Sequence, residues 1–158
     1  MRLDFARLLN EQMKKNKDIV LLCGDVGYGL FDEVFDTYSN RSFNIGSSEQ
    51  LMIGMACGMA LEKKIPICYT ITPFLLYRPF EFIRNFLHHE KIPVKLVGSG
   101  RDDDYQGAGF THHSFEARSV ISHLSSIDTF FPENSLELES EFDDFLYSTS
   151  PAFLSLRR

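Results

Sequence analysis

With 158 residues, 44% of them hydrophobic, the chain has material for one domain with a buried core. Its net charge of −6 argues against a nucleic-acid-binding face, and no apolar run reaches the roughly 20 residues that span a bilayer. The N-terminal segment carries acids among its apolar residues, unlike a signal peptide, and Cys23, Cys57 and Cys68 lie in apolar segments without metal-ligand spacing. Together these predict reduced core thiols in a cytoplasmic protein.

In chain order, Phe5, Leu8, Leu9 and Met13 have helical spacing within Asp4–Lys15. "DIVLLCG" (Asp18–Gly24) is a buried-strand run ending in a glycine-rich turn, "GDVGYG". A short amphipathic helix ("LFDEVFDTYS") and a short strand ("RSFNIG") follow, then a helix from Leu51 to Leu61 that is apolar almost all round. Ile65–Ile71 reads as a strand, with Pro66 at its start where a missing donor matters least. Tyr77–His89 reads as a helix and Ile92–Ser99 as a strand. The loop "GRDDDYQGAGFTHH" leads to a helix near Ser114–Leu124, and Asp102, Asp103 and Asp104 within it read as a solvated loop in preference to metal ligands. "DTFFP", "SLELESEFDDFLYS" and "AFLSL" complete the pattern as strand, helix and strand.

Strands alternate with helices throughout, and several strands are continuous apolar runs. This predicts an α/β fold, a largely parallel sheet covered on both faces. Such sheets bind ligands beyond the carboxyl ends of their strands. The candidate loops are therefore Gly24–Gly29, Gly46–Glu49, Thr72–Arg78 and Gly100–His113, gathered on one edge.

Glu49 stands out because it opens the most apolar helix of the chain. One reading is local: Ser47 as N-cap with Gln50 three residues on would form a capping box, and an early acid suits the helix dipole. The other starts from burial. Leu51, Met52, Ile53 and Met55 place this helix start inside the protein, where an unpaired carboxylate is costly and ready to share a proton. Gly54, Ala56, Gly58 and Ala60 keep the helix slim, suited to close packing by another backbone or subunit.

"NIGSSEQLMIGMACGMAL" resembles the signature of the pyrimidine-binding domain of thiamine diphosphate enzymes of the transketolase family. That signature is a Gly, two small residues, Glu-Gln, then a helix rich in small residues. "LLCGDVGYG", "YTITPFLLYRPFEFIRN", "GAGFTHHSFE" and "PAFLSLRR" are similar to its other landmarks, in order and across nearly the whole chain. The resemblance is to transketolase-like proteins whose loop ends in Thr/Ser-His-His. It implies a three-layer αβα domain over residues 1–158 with a parallel six-stranded sheet.

The resemblance also implies roles. Glu49 matches the acid that meets N1′ of the cofactor's aminopyrimidine, where proton exchange starts the removal of the thiazolium proton. Asp25 matches an acid near the thiazolium, although an Asp ordering a glycine turn would look the same. Phe74 is the aromatic expected to stack on the aminopyrimidine, in a register where many relatives instead place an aromatic at the position of Leu75. Arg78 sits where relatives keep an Arg; without the resemblance it reads as a salt bridge at a helix start. His112 matches a catalytic His near the substrate hydroxyls, with His113 beside it as a second substrate-binding residue.

The Gly-Asp-Gly motif through which the family holds the diphosphate and its metal is not in this sequence; "GDV" at Gly24 lies in the wrong part of the chain. The resemblance therefore implies no metal site here, with thiamine diphosphate and Mg2+ (or Ca2+) held by a partner subunit. The diphosphate-binding and C-terminal transketolase domains are not in this sequence. It further implies a homodimer through this domain, a complex with a diphosphate-binding subunit, and transfer of a two-carbon ketol unit between sugars or sugar phosphates. The alternative is a non-catalytic homologue used for assembly or regulation. A dinucleotide loop at "GDVGYG" is disfavoured by the lack of G-x-G-x-x-G.

Overall fold

The computed structural model describes all residues, Met1–Arg158. Six parallel strands lie in the order β2-β1-β3-β4-β6-β5. They are β1 (Ile19–Cys23), β2 (Ser42–Asn44), β3 (Ile65–Ile71), β4 (Lys95–Ser99), β5 (Asp128–Phe130) and β6 (Ala152–Leu156). Every residue of β1, β4 and β6 is buried, as expected when helices cover both faces, and β4 and β6 carry Lys95, Ser99 and Ser155 into that interior.

The helices are α1 (Arg2–Lys15), α2 (Asp32–Thr37), α3 (Glu49–Leu61), α4 (Thr72–Tyr77), α5 (Phe80–Phe82), α6 (Ala117–Ser122) and α7 (Ser135–Tyr147). One core forms where α1, α2 and α7 cover the sheet, around the rings of Phe5, Phe31, Tyr69 and Phe142. On the opposite face Met52, Ile53 and Ala56 of α3 meet Leu75, Leu76 and Ile83 and the inward side of β4. The three-layer αβα architecture expected from the sequence is therefore present.

The strand order reverses direction at β1, whose neighbours are β2 and β3. Loops after β1, β2, β3 and β4 all leave from the carboxyl edge of the sheet, and the crevice at the reversal is where such folds hold ligands.

Several boundaries differ from the sequence expectation. The single helix expected over Tyr77–His89 is three pieces: α4 begins at Thr72, the chain breaks at Arg78–Pro79, and α5 passes into a π-helical stretch at Ile83–His89. Proline has no N–H to continue the ladder, which accounts for the break. β4 starts at Lys95 instead of Ile92, β5 stops at Phe130, and α6 is confined to Ala117–Ser122. Of the four small residues on α3, Ala56 and Ala60 face the sheet and Gly54 packs beside the Phe82 ring, so only Gly58 is open to the outside. Cys23, Cys57 and Cys68 are free and buried. No helix is long and apolar enough to cross a membrane.

Candidate functional site

α3 opens with Glu49 in its first turn, after Gly46 in a left-handed conformation (φ 71°). The capping-box reading is not realised. The N-cap is Ser48, its side chain makes no capping bond, and the helix starts one residue later than a Ser47 cap requires. The Glu49 carboxylate instead turns inward and is 2% exposed. Arg78 Nη1 donates to its Oε1 at 2.7 Å, whereas Oε2 has no protein donor.

Arg78 follows α4, and its guanidinium carbon lies 3.8 Å from the centre of the Phe74 ring. This is a cation–π contact one helical turn apart. The Phe74 ring meets His112 edge-on at 4.9 Å. Thr111 Oγ1 and His112 Nδ1 are hydrogen-bonded at 3.0 Å. Four residues named from sequence, Glu49, Phe74, Arg78 and His112, thus form one continuous chain of contacts assembled from three loops. Leu75 is fully buried in the core, so Phe74 is the aromatic that α4 presents to the edge.

Asp25 lies outside that chain of contacts. It is exposed, with φ 54°, and its Oδ1 accepts from Tyr28 Oη at 3.0 Å, the turn-ordering arrangement an Asp adopts in glycine-rich loops. Asn44 Oδ1 accepts from the backbone N–H of both Asp25 and Gly46, tying the loop after β1 to the loop that starts α3. That bridging role of Asn44 has no local sequence signal.

The acids of the loop after β4 are partly exposed and also order the loop. Asp104 accepts from the N–H of Arg101 at 2.9 Å, and Asp102 pairs with Arg157 at 3.3 Å. Gly100 is required where it stands, because its φ is 83° and an added Cβ would lie 2.2 Å from the Tyr105 ring. His113 lies between Phe110 and Phe115, and its Nε2 is buried without a partner. Together with Phe74, Tyr77, Arg78 and Glu116 it lines a depression of about 290 Å3. Tyr77 and Glu116 escaped sequence reading. The spacing of three between Phe74 and Tyr77 could have signalled a shared helix face, had the helix been placed at Thr72. No three His, Cys, Asp or Glu side chains converge in a way that could hold a metal ion.

The model of the transketolase pyrimidine-binding domain matches residues 1–158. The chain belongs to this family. It is 28% identical over its whole length to 49% of the 6-deoxy-6-sulfo-D-fructose transketolase subunit SqwH of Clostridium sp. (strain MSTE9). It is also 28% identical, over 75% of its length, to 38% of an apulose-4-phosphate transketolase subunit of Actinobacillus succinogenes. The pyrimidine-binding chain thus spans about half or less of the curated relatives it matches. Among solved structures, a split-gene transketolase described as an inactive beta4 tetramer superposes with a TM-score of 0.85. That match is 25% identical and covers 98% of this chain and 50% of that one. Campylobacter jejuni transketolase shares the fold with a TM-score of 0.89 at 19% identity, covering 99% of this chain and 25% of that one.

As a family member the chain is expected to meet thiamine diphosphate, and its residues fit the pyrimidine end of that cofactor. A buried carboxyl group with one oxygen braced and the other free can share a proton with a basic ring nitrogen, and Arg78 links it to the Phe74 ring. Arg78 already covers one face of Phe74, so a stacked ring has the remainder of Phe74 that lines the depression.

Proposed function

We propose that this chain is the pyrimidine-binding subunit of a two-chain, thiamine diphosphate-dependent transketolase-like enzyme that transfers a two-carbon ketol unit between sugars. The observation that carries the reading is Glu49, buried at the mouth of α3 with Oε2 unclaimed by any protein donor. A buried carboxylate without a chemical task is a cost that folding rarely retains. Family membership and the subunit names of the relatives support the same reading.

Thiamine diphosphate, when bound, supplies a carbanion-stabilising centre for breaking and remaking the ketose carbon–carbon bond. The chain's own residues do the rest. Arg78 fixes Oε1 so that Oε2 holds a proton at N1′ of the pyrimidine, and the burial of Glu49 keeps most water from the carboxylate. Phe74 supplies a ring wall. His112, oriented by Thr111 and by the Phe74 ring, serves hydroxyl groups of the substrate, with His113 adjacent. Asp25 approaches the thiazolium side from the loop after β1. The diphosphate and its Mg2+ or Ca2+ are held by a diphosphate-binding partner subunit. Two copies of this chain pair through the outer face of α3, giving a two-plus-two assembly in the cytoplasm.

The test is reconstitution. The isolated chain should bind thiamine diphosphate and Mg2+ more weakly than micromolar by calorimetry. Adding the diphosphate-binding chain should give tight binding and ketol transfer. Tight binding by this chain alone would overturn the division of labour, and assembly without turnover would favour a non-catalytic homologue.

A further inference from the structure

Where the sheet reverses, the chain leaves β1 for α2 on one face and leaves β2 for α3 on the other. The last main-chain bond between these two exits runs from the N–H of Ile45 to the carbonyl of Cys23, at 2.8 Å. Beyond it the loops leading to Asp25 and to Glu49 diverge. The hydrogen bonds that still join them all come from the side chain of Asn44.

Asn44 Oδ1 accepts from the N–H of Gly46 at 2.9 Å and from that of Asp25 at 3.1 Å. Its Nδ2 donates to Tyr28 Oη at 3.3 Å, and that hydroxyl donates to Asp25 Oδ1 at 3.0 Å. Three of these bonds close a ring through Asn44, Asp25 and Tyr28, and the fourth anchors the ring to the entry of α3. Both backbone positions it holds are left-handed, Asp25 at φ 54° and Gly46 at φ 71°. An asparagine commonly bonds the N–H two residues on, and the Gly46 contact alone would be that local turn. The partners 19 and 16 positions away, Asp25 and Tyr28, are not needed for it.

The residue type fits the same role. A planar amide of this length offers an acceptor and a donor together, whereas Asp has no donor and Leu has neither. Asparagine is disfavoured in strands, so the three-residue edge strand β2 gains nothing from it as a strand former. The bonds are also exposed, where each adds little to global stability, so their effect is local order.

We propose that Asn44, completed by Tyr28, is a positioning residue that straps the loop after β1 to the entry of α3 and so sets the spacing of Asp25 and Glu49 across the crevice. The inference rests on the ketol-transfer reading for what occupies the crevice.

The test begins with amide hydrogen exchange on this chain. Asn44→Leu should speed exchange at Asp25 and Gly46 by about tenfold or more, with β4 and β6 unchanged. In the two-chain enzyme the same variant should lower kcat by about ten- to a hundred-fold with the sugar KM unchanged. Asn44→Asp keeps an acceptor for both N–H groups and should restore the protection and most of kcat. Tyr28→Phe, which leaves those two bonds in place, should lower kcat less than Asn44→Leu does. Unchanged exchange in Asn44→Leu would overturn the strap. So would Leu performing as well as Asp, the order that strand packing alone predicts. Loosened loops with parental kcat would overturn the positioning role. If the parent mixture never turns over, the ketol-transfer reading falls, and thiamine diphosphate binding by that mixture decides the strap. Weaker binding with Asn44→Leu would sustain it, and equal binding would overturn it.

Discussion

Glu49 and Arg78 form an ion pair whose members sit in different surroundings. Oε1 and Nη1 are 2.7 Å apart, yet the carboxylate side chain is 2% exposed and the arginine 45%. The arginine can rotate into water at little cost, whereas the carboxylate has no such alternative. The pair therefore works in one direction, with Arg78 stabilising Glu49 and not the reverse. The two predictions that follow separate chemistry from stability on that basis.

Glu49→Gln keeps shape and burial but removes the proton-sharing carboxylate. In the reconstituted enzyme, turnover should fall by about 10²–10⁴-fold, the range of a positioned acid–base group. The melting temperature should stay close to that of the parent, because the helix start makes no side-chain capping bond that could be lost. Rates preserved in the folded variant would remove Glu49 from the chemistry.

Arg78→Met strands a buried carboxylate and should cost about 1–3 kcal/mol in denaturant unfolding. The double variant Glu49→Gln/Arg78→Met should be more stable than Arg78→Met alone, since a neutral amide does not need the guanidinium. Additive losses would show that the two residues are not coupled.

Lys95 carries a pH signature. It is 1% exposed, donates to the carbonyls of Ser148 and Ser150 at 2.7 Å each, and burial lowers its pKa from 10.5 to about 8. As pH rises through 8 the folded chain sheds a proton that the unfolded chain keeps until 10.5, so stability should rise with pH there. The thiols of Cys23 and Cys57 act oppositely: burial raises them from 9.0 to about 12 and about 11. Tyr69 and Tyr77, raised from 10.0 to about 12 by burial, add to the loss at higher pH. Unfolding midpoints should climb between pH 8 and 9 and then decline. Lys95→Met should abolish the climb, and a wild-type curve flat over that interval would contradict the assignment.

The outer face of α3 shows Leu51 at 58% and Leu61 at 69% exposure, with open space at Gly58. The isolated chain should sediment as a dimer, and Gly58→Arg should shift it to monomer with the fold retained. A wild-type monomer at high concentration would disprove pairing through this face.

Much of the fold was legible because its signals are local. Unbroken apolar runs announced buried parallel strands, and each glycine-marked loop fell on the expected edge. The limits of Tyr77–His89 were not, since Pro79 breaks a helix whose apolar spacing continues on both sides. That error of phase also concealed Tyr77, which shares the edge-facing side of α4 with Phe74 only once the helix begins at Thr72.

By itself the sequence determined the layer architecture, the burial of α3 and the placing of an acid at its mouth, because hydrophobic periodicity and glycine turns act over a few residues. Only the tertiary structure decided what that acid meets. Arg78 lies 29 positions away in the chain, and His112 reaches Phe74 from the loop of another strand. It also decided that Ala56 and Ala60 face the sheet, leaving Gly58 outside, and that the acids after β4 pair with Arg157. Those outcomes depend on which strands are neighbours and on how each helix is rotated against the sheet, and neither is written in any short stretch of residues.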